Sequence, residues 1–255
     1  MRRDRSSDGN TLTSRPVPFI GLVAALLAVF AVTGALAAEC PLPPEPHLPQ
    51  ATSPLNIDDV KQQLRAYHRD HYQEDMSAVF EAAGSYVERR AAEVEKPAVV
   101  LDIDETSLSN WQNLDLDDFG FIENGPCSKR KGFACGFASY IASETSQPIV
   151  PARKFFDAVR ARHVAVFFVT GRRDSQRRAT VINLHRAGFR GWTKLATRPD
   201  DDKASSIVPF KSGQRGRIAK DGYTIIATIG DQNSDLEGGS AECGFKLPNP
   251  FYFIP

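Results

Sequence analysis

The 255-residue sequence has no net charge, because 31 Lys and Arg balance 31 Asp and Glu. No whole-molecule field therefore draws the chain to nucleic acid or to an acidic membrane surface, and any attraction for anions must be local. Cysteine is scarce. Its four copies, Cys40, Cys127, Cys135 and Cys243, have no CxxC spacing and no nearby histidine, which argues against zinc among them. Arg172, Arg173, Arg177 and Arg178 lack interleaved aromatics, so they read as a solvated helix face, with Arg172 near the site, rather than a nucleic-acid platform. His68 and His71 are spaced for one helix face but read as ordinary surface or packing residues. Two export routes are also missing their marks. Asp4 follows Arg2-Arg3 where a twin-arginine signal needs apolar residues, and Glu39 precedes Cys40 where a lipidated cysteine follows a small residue.

What the amino terminus does have is Arg2, Arg3, Arg5 and Arg15 ahead of an apolar run from Phe19 to Leu36, closed by Ala35-Leu36-Ala37. This is the pattern of an export signal over residues 1–37, with the mature chain beginning at Ala38 in the periplasm or outside the cell. The alternative is an uncleaved anchor, which would leave the domain outside the cytoplasm and touching membrane only through this segment. An oxidising compartment suits disulfides. Four cysteines allow three pairings; Cys127 and Cys135 frame the short loop CSKRKGFAC and are the expected pair, leaving Cys40 with Cys243.

Residues 38–55 are a Pro-rich leader without period, and residues 56–255 are expected to form the functional domain. Asn56 caps a helical stretch carrying Val60, Leu64, Tyr67, Met76, Val79, Phe80, Ala83 and Val87, which extends to about Val94 and has a break near His71 to Asp75. A strand–helix alternation follows: AVVLDI, a helix over Pro151 to Arg162, VAVFFVT, a helix over Arg173 to Arg186, WTKLAT, a helix over Ser212 to Asp221, then YTIIATIG, with CGFKLPN closing the sheet or at its edge. The expected fold is α/β, a doubly wound and mostly parallel sheet whose ligands bind beyond the carboxyl ends of the strands.

Those ends hold the unusual residues. Strand one ends in Asp102-Ile103-Asp104, the second in Thr170-Gly171-Arg172, and the late strand in Gly230-Asp231, with Asp235 following. Carboxylates sharing one rim repel one another unless a cation sits among them, and all-oxygen ligands point to Mg2+. Thr170 supplies a hydroxyl, and Lys211, in PFKSGQR, supplies an ammonium at what reads as a helix start, with Arg215 on the same face. Metal on one side with hydroxyl and ammonium on the other suits a phosphoryl group.

DIDET, then TGR, then FKSGQR, then GDQNSD, in that order, resemble the four motifs of the haloacid dehalogenase-like (HAD) superfamily. The longer forms FKSxxR and GYxIxxxxGDQxSDL are similar to its acid phosphatase branch, which groups bacterial class B and class C enzymes with plant vegetative storage proteins. The resemblance implies a Mg2+-dependent acid phosphatase acting on small-molecule phosphate monoesters, nucleotides or other organic phosphates. It implies Asp102 as nucleophile and Asp104 as acid and base. Metal would be held by Asp102, the backbone carbonyl of Asp104, Asp231 and waters, with Asp235 a direct or water-mediated support, and phosphate by Thr170 and Lys211. Asn233 departs from the bulky residue frequent in storage proteins. Residues 107–150 stand where the superfamily inserts caps. Their aromatics, among them Trp111, Phe119, Phe121, Phe133, Phe137 and Tyr140, read mainly as the small core of that insert, with a substrate wall as the alternative. A receiver-like switch is disfavoured by motif order, and a non-catalytic storage role by the intact Asp102. Subunit number leaves no mark in the sequence.

Overall fold

The computed structural model describes residues 40–48, 56–125 and 135–254. The export segment, most of the leader, Cys127 and Phe133 lie outside the described residues, as does the expected Cys127–Cys135 pairing.

Helices α1 (Ile57–Asp70) and α2 (Tyr72–Ala91) come first. The Asn56 side chain accepts from Asp58 N at 2.9 Å and caps the first. Only His71 separates the two, at the near end of the expected break. Strand β1 (Pro97–Leu101) follows. Next come β2 (Leu108–Ser109), α3 (Trp111–Leu116), α4 (Phe137–Ser143), β3 (Gln147–Pro148), α5 (Val150–Ala161) and β4 (Ala165–Arg173). The chain ends with α6 (Arg177–Arg186), β5 (Lys194–Arg198), α7 (Val208–Lys220), β6 (Thr224–Gly230) and β7 (Cys243–Lys246).

Five strands form one sheet in the order β5-β4-β1-β6-β7, and every pairing in it is parallel. The fold is the expected α/β sheet, with β7 at its edge. Alternation along β1 divides the core. Val99 and Leu101 face a large apolar cluster with Met76, Phe80 and Ala83 of α2 and Phe155, Phe156 and Val159 of α5. Ala98 and Val100 face a smaller one with Phe167, Val169 and Ile218 of α7. Both faces are thus covered, as a wholly apolar strand requires.

Three sequence expectations need correction. The α-helix does not begin at Arg173: β4 runs through Arg173, which pairs with Arg198 of β5, and a single 3-10 turn over Asp174–Gln176 precedes α6. Helix α7 begins at Val208, so Lys211 does not start it; its own N–H already donates to Ile207 O at 3.1 Å. Trp111 and Phe119 do not build a separate core for residues 107–150. They pack on the main cluster, where Trp111 stacks on His68 of α1 at 3.5 Å between ring centroids and both approach Phe251.

The Cys40–Cys243 disulfide joins the leader to β7, as the sequence suggested. No helix among the described residues is long and apolar enough to cross a membrane.

Candidate active site

Strand β1 is central, so its carboxyl end is flanked by the ends of β4 and β6. Asp102 leaves β1 held in line by its N–H, which donates to Ile229 O at 3.0 Å. Asp231 directly follows β6, and a 3-10 turn over Asn233–Asp235 brings Asp235 back beneath it. Carboxylate oxygens of Asp102, Asp231 and Asp235 lie within 4.8 Å of one another, and all three residues are buried. Lys211 reaches in from α7, its Nζ 3.1 Å from Asp102 Oδ1 and also paired with Asp235. Lys211 is itself only 4% exposed.

The electrostatics of this cluster are unbalanced. Burial pushes the Asp102 carboxyl well above its usual range against the pull of Lys211, and Asp235 and Asp231 add to the rise. Burial and Asp235 likewise push Asp231 up to about 6, although Asn249 and Gln232 donate to it. Burial disfavours the Lys211 charge, but Asp102 and Asp235 overcome it and the ammonium is held above its usual range. One ammonium for three carboxylates leaves room for a further cation. An all-oxygen donor set of this kind fits a hard divalent ion.

The Asp104 carboxylate stands outside that trio. It is gripped by Arg172, whose Nε lies 3.1 Å from both oxygens and whose Nη2 lies 2.8 Å from Oδ1. Asn110 Nδ2 donates to the same Oδ1 at 2.8 Å. Arg172 thus belongs to β4 and is fully buried, not part of a solvated helix face. Thr170, also buried on β4, accepts from Arg172 N at 3.1 Å through its hydroxyl. No direct hydrogen bond joins Thr170 to the aspartates among the described residues; β4 and Arg172 link it to Asp104.

Several supporting groups escaped the sequence reading. Thr106 Oγ1, Gln232 Nε2 and Asn249 Nδ2 donate to Asp231 at 3.1, 2.6 and 2.7 Å. Gln232 N donates to Asp235 Oδ2 at 2.9 Å, and the Lys246 ammonium donates to the Asp231 carbonyl. Thr106 and Gln232 lie within DIDET and GDQNSD and could have been found there. Asn249 and Lys246 lie beyond β6 with no pattern of their own. Glu105, fully buried at a left-handed φ of 49°, accepts from Tyr72 Oη at 2.8 Å and from Asn110 N. Burial raises it to about 7 against those two hydrogen bonds.

A family model described as HAD superfamily, subfamily IIIB (Acid phosphatase), matches residues 48–255. The chain belongs to this acid phosphatase family. Among similar proteins, acid phosphatase 1 of Solanum lycopersicum is 31% identical over 190 residues, covering 72% of this chain and 69% of that one. Vegetative storage protein 1 of Arabidopsis thaliana is 28% identical over 218 residues, covering 82% and 77%. The solved class C acid phosphatase from Bacillus anthracis shares the fold, with a TM-score of 0.61 at 18% identity, over 78% of this chain and 87% of that one. This acid phosphatase is therefore a phosphomonoesterase whose substrates are small-molecule phosphate esters. Its buried aspartate trio and Lys211 sit at the strand ends where an α/β sheet binds its ligand.

Proposed function

We propose that the chain hydrolyses phosphate monoesters through a phosphoaspartyl intermediate on Asp102, with Mg2+ as cofactor, after export from the cytoplasm. The observation that carries this reading is the interleaving of three buried carboxylates with a single buried ammonium at the ends of neighbouring strands.

The side chains of Asp102 and Asp231 and the backbone carbonyl of Asp104 would hold the metal, with Asp235 supporting it directly or through water. When bound, it neutralises phosphoryl oxygens and the crowded carboxylates. Lys211 and the Thr170 hydroxyl hold the remaining phosphoryl oxygens. Lys211 acts through its ammonium, since its own amide already donates to Ile207 O. An Asp102 oxygen attacks phosphorus, and the bond to the ester oxygen breaks as Asp104 gives that oxygen its proton. Asp104 then takes a proton from water, whose oxygen displaces the Asp102 carboxylate and frees inorganic phosphate. Arg172 and Asn110 aim Asp104 throughout; the bidentate contact fixes a plane that a lysine could not. Residues 56–255 carry this chemistry, residues 107–150 being an insert of the cap type, and residues 1–37 serve as the export signal.

Phosphate release from a chromogenic ester by the purified chain tests the chemistry. Asp102→Asn is expected to lower turnover by about 10³-fold or more while circular dichroism stays unchanged. EDTA is expected to abolish turnover and Mg2+ to restore it. Undiminished turnover in Asp102→Asn rules out the nucleophile. Amino-terminal sequencing of exported protein is expected to begin at Ala38.

A further inference from the structure

A second group of ligand-type side chains lies apart from the aspartate trio, at the corner between α1 and α2. His71 is the single residue joining the two helices, Glu74 stands three residues on in the first turn of α2, and His47 comes from the leader. One ring nitrogen of each histidine and a Glu74 oxygen lie within 4.8 Å of one another, all exposed. The two imidazoles stack with centroids 4.9 Å apart and planes 22° from parallel.

What separates this group from a chance surface pair is the support behind His47. Its Nδ1 lies 2.7 Å from Asp75 Oδ1, and its backbone N–H donates to Asp75 Oδ2 at 2.8 Å. Asp75 is 5% exposed and also accepts from the Tyr67 hydroxyl at 3.0 Å, so it is a fixed acceptor. In the neutral ring Asp75 places the hydrogen on Nδ1, which leaves the Nε2 lone pair for a ligand. A carboxylate on the far nitrogen is the usual companion of a metal-bound imidazole, setting its tautomer and raising its basicity.

We propose that His47, His71 and Glu74 bind a divalent cation of the zinc type, fastening residues 40–48 to the α1–α2 corner. Two imidazoles and one carboxylate are a borderline donor set, suited to Zn2+, Cu2+ or Ni2+ rather than to Mg2+, which takes oxygen ligands. Water completes the coordination at this exposed position. The leader is already tied at Cys40 by its disulfide, and the cation adds a second tie at His47.

Calorimetric titration of the full chain with ZnCl2, in excess Mg2+ so that the aspartate trio is occupied, tests this. One zinc per chain is expected. The His47→Ala/His71→Ala double variant, changed only at exposed residues, is expected to bind it at least about tenfold more weakly and to keep its Mg2+-supported phosphatase activity. Asp231→Asn, which disables the other cluster, is expected to leave zinc binding unchanged. Absence of zinc binding in the natural chain, equal affinity in the double variant, or loss of binding in Asp231→Asn instead would each overturn the proposal.

Discussion

At the scale of single residues, Gly230 shows how closely the site is built. A Cβ on it would come within 2.2 Å of the Asp235 carboxyl group, so Gly230 is the space into which Asp235 folds back. Gly230→Ala is expected to push Asp235 away from Lys211 and lower turnover about 10²-fold, a loss read from kcat on the same chromogenic ester. His68 makes a different kind of demand. Burial against Trp111 lowers its pKa from 6.5 to about 4, with Asp115 opposing weakly. Between those values the unfolded chain binds the proton and the folded chain does not, so this contribution to stability is complete above about 6.5 and is lost as pH falls toward 4. His68→Phe, which keeps a ring in the stack, is expected to flatten the pH dependence of the urea midpoint across that window. An unchanged dependence would mean that His68 titrates normally. Asp102, Asp231, Asp235 and Lys211 were legible because motif order and strand position agreed. Arg172 was legible as the end of the second strand and as a neighbour of the site, but grouping it with the arginines that follow as a solvated helix face was wrong, because β4 runs on through Arg173 and Arg172 is buried.

At the scale of elements, the long strands and helices were legible because apolar period and length pointed the same way. The short elements were not. Helix α3 has 6 residues, α4 has 7, and β2 and β3 have 2 each, all below the length at which a period repeats. Their placement rests on tertiary contacts such as Ile149 N donating to Ser107 O at 3.0 Å. Helix α7 does more than its sequence suggested. Besides Lys211, it carries Arg215, 1% exposed, which donates to the carbonyls of Asp235 at 2.8 Å, Gly239 at 3.0 Å and Glu237. The stretch after β6 is thus tied to α7 by one guanidinium. Arg215→Leu leaves these carbonyls without their donor and is expected to destabilise the fold by about 3 kcal/mol, measured by urea unfolding.

At the scale of the whole molecule, the Cys40–Cys243 bridge joins positions 203 residues apart. Its removal is expected to cost about 2–5 kcal/mol of stability. Comparing the thermal unfolding of Cys40→Ala/Cys243→Ala with that of the natural chain checks this; equal midpoints would show that the edge strand holds without the tie. The sheet order was the least legible feature at this scale, since alternation gives the layers but not which strand lies beside which. Only the strand ends hinted at it, because the acidic motifs had to converge. The grip of α7 carries one further consequence. Lys211 and Arg215 both hold the Asp235 stretch, so parting α7 from it to admit an ester or release phosphate would break all of these hydrogen bonds. Passage of ester and phosphate is therefore expected on the side of the site away from α7.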